Sequence, residues 1–250
     1  MRIDDEHAAR GTIERATATL VASWACFADA TPGARLVRSG PVAAAIFPDE
    51  PERGIFNNAV LLDYEADAVA AGAEIAARYA DAGVDAFALW VHETAGAATR
   101  ALVAAGWRND ESTLVMTLDL AALREPDGPE LDLDPAPSAA RCFAVNGLPT
   151  GLFPALEGCH VLVARQDARD AAAAMTVDHE GDCGVYDVAT IPPARRAGLG
   201  TAVTAQALRD ARGRGCRTAS LQSTGEAEGL YARLGFLPAG RFREWTPPAR

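Results

Sequence analysis

Lysine is missing altogether: all 23 basic residues are arginine. Without it the chain has no Walker-A phosphate loop, no Schiff-base lysine for pyridoxal phosphate and no lysine nucleophile. Histidine is scarce, and His7, His92, His160 and His179 lack H-E-x-x-H spacing, so no metal site is expected. The five cysteines, Cys26, Cys142, Cys159, Cys183 and Cys216, form no C-x-x-C pair. That points to reduced thiols in a cytoplasm rather than to a disulfide framework or a zinc site. There is no apolar run of membrane length, and the opening MRIDDEHAAR has no apolar core, so the expectation is a protein neither secreted nor membrane-spanning. A formal net charge of -11 with no broad basic face argues against nucleic acid as a principal partner.

What is present is enough for a substantial core: 250 residues, 49% of them hydrophobic, suit one large domain or two small ones. Apolar periodicity predicts a helix over Ile13–Phe27, strands over Ala34–Phe47 and Ala59–Asp63, and a helix over Asp67–Ala82. A strand at Phe87–Val91, a helix at Ala95–Ala105 and a strand at Thr113–Leu118 follow. The pattern breaks at REPDGPELDLDPAPS, Arg124 to Ser138, where prolines and acids replace it, and this reads as a linker over 125–137. Beyond it, Val161–Arg165, Ala172–Asp178 and Val185–Thr190 read as antiparallel strands separated by the turn-rich DARD and HEGD.

The most informative stretch is PPARRAGLGTA, Pro192 to Ala202, at the end of the third of these strands and the start of a helix. Small residues there let several backbone N–H groups face one anion, with the helix dipole adding partial positive charge. The Rossmann fingerprint is absent, because Gly198-Leu199-Gly200 is followed by Thr201, Ala202 and Val203 with no third glycine. From Arg195 to Arg217, six arginines (195, 196, 209, 212, 214 and 217) face a single acid, Asp210, a local positive patch suited to a polyanion. The plainer reading is that Gly198 and Gly200 shape a turn while Arg195 and Arg196 are solvated.

Arg195-x-x-Gly198-x-Gly200 resembles the R/Q-x-x-G-x-G/A motif of the GNAT superfamily of N-acetyltransferases. Downstream, TASLQST (Thr218–Thr224) and GEAEGLYARLGF (Gly225–Phe236) resemble the second half of the GNAT core, where a strand splays from its neighbour and a helix ends in Y-x-x-L-G-F. The resemblance covers about Val161 to Phe242. It implies an α/β fold with an α+β mixed sheet, binding acetyl-CoA as cosubstrate without a metal, and transferring acetyl to the primary amine of a small molecule or peptide by direct attack on the thioester. It also implies the site: Val188, Ala189 and Thr190 on the strand that polarises the thioester carbonyl, and Arg195, Arg196, Ala197, Gly198, Leu199, Gly200 and Thr201 around the pyrophosphate. Tyr231 would be the general acid for the departing thiolate. Its alternative is an ordinary helix aromatic packed beside Leu230 and Leu234.

The base is open among Asp187, Glu180, Asp182, Glu226, Glu228 and an ordered water, since geometry must precede any pKa argument. By simple strand alternation Asp187 should face away from Tyr186 and Val188. The amino-terminal half echoes the same order, with Trp107 following Ala105-Gly106 as Phe236 follows Leu234-Gly235. It has no R-x-x-G-x-G turn and no helix tyrosine. The expectation is therefore two tandem domains, a degenerate non-catalytic GNAT-like domain over 1–124 and an acetyl-CoA-binding domain over 138–250, an arrangement that resembles mycothiol-synthase-like enzymes. An unrelated α/β extension is the other reading of the first half, and a non-catalytic acyl-CoA-binding or interaction module is the other reading of the whole.

Overall fold

The computed structural model describes residues 3–52, 56–150 and 156–248. In chain order the elements are α1 (Ile3–Asp29), β1 (Arg35–Ser39), β2 (Val42–Ile46), β3 (Asn58–Leu61), α2 (Ala68–Asp81), β4 (Ala88–His92), α3 (Gly96–Ala104) and β5 (Arg108–Asp119). Then come β6 (Asp132–Leu133), α4 (Ala139–Asn146), β7 (Cys159–Gln166), β8 (Arg169–His179), β9 (Asp182–Thr190), α5 (Leu199–Arg214), β10 (Thr218–Ser223), α6 (Glu228–Leu234) and β11 (Leu237–Thr246). Apart from the short β6, the chain runs twice through helix, three strands, helix, strand, helix, strand. In each pass the three strands form an antiparallel meander, and the third is parallel to the strand that follows the next helix. The fold is a mixed α/β fold, as the sequence resemblance implies.

The compact units are not the two sequential halves. One comprises Met1–Cys26 with Val115–Ala239, and the other Phe27–Leu114 with Gly240–Arg250. Residues 125–137, expected as a linker, lie inside the first of these, and the ends of the chain are exchanged between the two passes.

The unit of residues 27–114 and 240–250 packs α2 and α3 on a sheet in the order β1-β2-β3-β4, with β11 from Gly240 antiparallel to β4. Alternation puts Val42, Ala44, Ile46, Ala59 and Leu61 into the core with Ile75 and Tyr79 of α2 and Leu102 of α3. The buried Tyr79 phenol donates to Ala45 O at 2.8 Å, and its ring stacks on Phe87 at 4.4 Å. The predicted single strand Ala34–Phe47 is a hairpin, because Gly40 turns the chain at φ +54 within the apolar run.

The unit of residues 1–26 and 115–239 carries the order β10-β9-β8-β7-β6. Leu199, Val203 and Ala207 of α5 pack on Ala164, Ala172 and Ala174 of the sheet. The long α1 belongs here because the fully buried Asp182 accepts from Thr19 Oγ1 of α1 at 2.8 Å, Thr218 Oγ1 at 2.6 Å and Ser220 Oγ at 2.6 Å. Three hydroxyl donors meet the demand of a buried carboxylate. That places Asp182 in a structural role rather than that of a base. Among the described residues, no helix is long and apolar enough to cross a membrane, and no cluster of three or more His, Cys, Asp or Glu side chains could hold a metal ion.

Candidate active site

β9 and β10 pair in parallel at Asp182 with Thr218, Cys183 with Ala219 and Gly184 with Ser220, and β9 then continues to Thr190. Opposite β8 the register slips: Ala189 faces Ala173 and Tyr186 faces Met175, so Asp187 and Val188 share the space across from Ala174. This is a β-bulge, with Asp187 at φ +50. The bulge interrupts the pairing with β8, yet Asp187 and Val188 still point to different helices, as alternation expects. Val188 packs into the cluster under α5, while Asp187 turns to α4, where Asn146 Nδ2 donates to its Oδ1 at 3.2 Å and Cys142 Sγ lies 3.7 Å from its backbone oxygen. Burial pushes the Asp187 carboxyl up to about 6, against the lowering effect of Asn146. Sequence patterning missed both the bulge and its partner helix; a bulge leaves no signature beyond a local break in alternation.

The turn after β9 is built by a 3-10 segment at Pro192–Ala194, in which Ala194 N donates to Ile191 O at 2.9 Å. Arg195 Nε donates back to Thr190 O at 3.0 Å, and Arg196 is left-handed at φ +66. Gly198, at φ +82, is the N-cap of α5 and offers no side chain to its first turn. The amides of Leu199, Gly200 and Thr201 therefore begin the helix as unsatisfied donors directed out of its N-terminus. At the matching place in the first pass, the N-cap of α2 is Asp67, whose Oδ1 accepts from Val69 N and Ala70 N, both at 3.0 Å. One helix start supplies its own anion; the other leaves that place open.

The glycines also answer to the protein itself. A β-carbon on Gly200 would stand 3.1 Å from Thr190 Oγ1 and 3.5 Å from Leu230 Cδ1, so this position brings together the end of β9, the first turn of α5 and the tyrosine helix. A β-carbon on Gly198 would stand 3.2 Å from Pro129 Cδ. Tyr231 lies in α6, 7% exposed, with its ring edge-to-face against Phe236 at 5.8 Å. Burial raises its phenol to about 12, so the proton is held across the neutral range.

The six arginines do not act as one patch. Arg209 pairs with Glu125 at 2.6 Å, Arg214 makes a bidentate pair with Asp178, and Arg212 reaches Leu120 O at 3.4 Å. Arg195 and Arg196 are exposed beside the turn. The structure thus brings Val188–Thr190 and the 195–201 turn to one end of β9, sets Leu230, the neighbour of Tyr231, against Gly200, and pairs Arg209 and Arg214 elsewhere.

Residues 157–238 match the family model described as the acetyltransferase (GNAT) domain. No curated protein matches. Among solved structures, the chain is similar to a GCN5-related N-acetyltransferase from Kribbella flavida, with TM-score 0.72 and 21% identity over 97% of this chain and 96% of that one. A GCN5-related N-acetyltransferase from Sphaerobacter thermophilus matches at TM-score 0.55 and 13% identity over 84% and 78%. A tandem GNAT protein from the clavulanic acid biosynthesis pathway matches at TM-score 0.58 and 15% identity over 86% and 83%. The chain thus resembles the GNAT acetyltransferase domain over residues 157–238 and shares its fold with GCN5-related N-acetyltransferases.

Proposed function

We propose that the protein is an acetyl-CoA-dependent N-acetyltransferase acting on the primary amine of a small molecule or peptide in the cytoplasm. The observation that carries this reading is the open, glycine-capped start of α5 placed directly after a bulged strand that parts from its parallel neighbour. Its free amides and the flanking Arg195 and Arg196 suit a pyrophosphate, which the helix dipole also favours. The cosubstrate supplies an acetyl thioester. The backbone N–H groups along Val188–Thr190 polarise the carbonyl to be attacked.

Asp187 is the residue we assign as general base. In this reading its carboxylate, directly or through one water, takes the proton that the nitrogen loses on attack. Tyr231 gives its phenolic proton to the departing sulfur. Leu230 against Gly200 keeps its helix beside the cradle. The first pass is the non-catalytic repeat: Asp67 fills its helix start, and Leu102, at the place of Tyr231, is a fully buried core residue. The competing reading, a non-catalytic acyl-CoA-binding module, draws on the packing of Tyr231 against Phe236. A broad panel of amines assayed for coenzyme A release tests the proposal; release with none of them, from protein that binds acetyl-CoA, favours the module.

A further inference from the structure

The segment between the two passes does not behave as a spacer. It leaves β5 through a 3-10 turn at Leu120–Ala122 and at once meets the end of the tyrosine helix: Arg124 N donates to Leu234 O at 3.0 Å. Ala122 O lies 3.0 Å from where a β-carbon on Gly235, the C-cap of α6, would be. Glu125 then pairs with Arg209 of α5 at 2.6 Å. Further along, Gly128 runs against Ala202, and Pro129 Cδ reaches the N-cap Gly198. Leu131 and Leu133 join the apolar cluster of Leu199 and Val203, and β6 closes the path by pairing Asp132 with Arg165 and Leu133 with Ala164 of β7.

One stretch of chain therefore touches the last carbonyl of α6, the flank of α5, the residue that caps the proposed anion site, and the edge of the sheet. Gly198 makes no side-chain cap bond, and glycine has more backbone freedom to lose than any other residue. Backbone amides bind an anion well only if their directions are set beforehand. The rigid pyrrolidine ring of Pro129 stands where the missing side chain would provide that restraint.

We propose that residues 124–133 form a strap that holds the start of α5 and the tyrosine helix in one frame, with Pro129 as a positioning residue for acetyl-CoA binding. This rests on the reading of the α5 start as the pyrophosphate site. Pro129 touches no reacting atom in this account; it acts through Gly198.

The test uses the full chain and acetyl-CoA as the probe. Pro129→Gly raises the Kd and the KM for acetyl-CoA about 3- to 30-fold, through lost preorganisation, while kcat at saturation stays within about twofold because Tyr231 and Asp187 are untouched. Hydrogen exchange of wild-type residues 124–133 slows when coenzyme A is added, which packing alone would not produce. That measurement needs no variant, so it decides even if Pro129→Gly fails to fold. Unchanged affinity in Pro129→Gly, or strap exchange indifferent to coenzyme A while residues 196–201 are protected, overturns the strap. Wild-type protein that binds no acetyl-CoA instead overturns the reading beneath it, and the strap with it.

Discussion

Asn146 and Asp187 meet at 3.2 Å, the amide nitrogen of the one donating to the carboxylate of the other. The pair ties the bulge of β9 to α4. Burial holds the carboxyl near 6, and the amide pulls it down. As a base, Asp187 works only when ionised, so turnover should fall as pH drops through about 6. Asp187→Asn should cut kcat by about 100- to 10,000-fold. Asn146→Ala removes the lowering contact, so the acid limb should move to higher pH. A wild-type profile in Asn146→Ala together with full turnover in Asp187→Asn would show that the proton leaves by another route.

Asp67 and Gly198 occupy matching helix starts with opposite consequences. Asp67→Ala should cost about 1 kcal/mol of stability through the lost cap and leave acetyl-CoA affinity unchanged, measured by urea unfolding and by titration. Altered affinity would mean that the first repeat takes part in binding.

Asp182 ties α1 to the sheet through Thr19, Thr218 and Ser220. Removing a buried acceptor strands its donors, so Asp182→Ala should destabilise by about 3 kcal/mol. Thr19→Val, which takes away one donor, should cost about 1 kcal/mol. Denaturant midpoints equal to wild type in both would show that this network does not hold α1.

Tyr231→Phe keeps the ring against Phe236 and removes only the proton. The turnover number should drop by about 10- to 10,000-fold with acetyl-CoA affinity nearly unchanged. Wild-type turnover where chemistry is rate-limiting would leave Tyr231 as a packing residue.

The sequence carried the elements whose signal is local. Apolar periodicity over Asp67–Ala82 marked α2, and alternating or continuous apolar runs marked β7 to β9. The turn at Arg195–Gly200 and the helix ending in Gly235 were legible as motifs. Features that depend on distant partners were not. The eight-residue α4 lacks enough turns to show a period after a proline-rich stretch, and β11 contains Pro238 and Gly240, which read as breakers. The acids of the expected linker only broke the apolar periodicity, yet Glu125 and Asp132 each pair with an arginine far along the chain, Arg209 and Arg165. The same distance hides the exchange of chain ends between the compact units, since nothing near Thr19 announces Asp182.

The central claim is that the start of α5 binds the pyrophosphate of acetyl-CoA, and calorimetric titration of wild type and Gly200→Val tests it most directly. Close approach at Gly200 leaves no room for a branched side chain beside Thr190 and Leu230. The account predicts saturable one-site binding to wild type and at least a roughly tenfold loss in Gly200→Val, with circular dichroism showing the variant still folded. Equal affinity in the two proteins, or no binding to wild type, would contradict it.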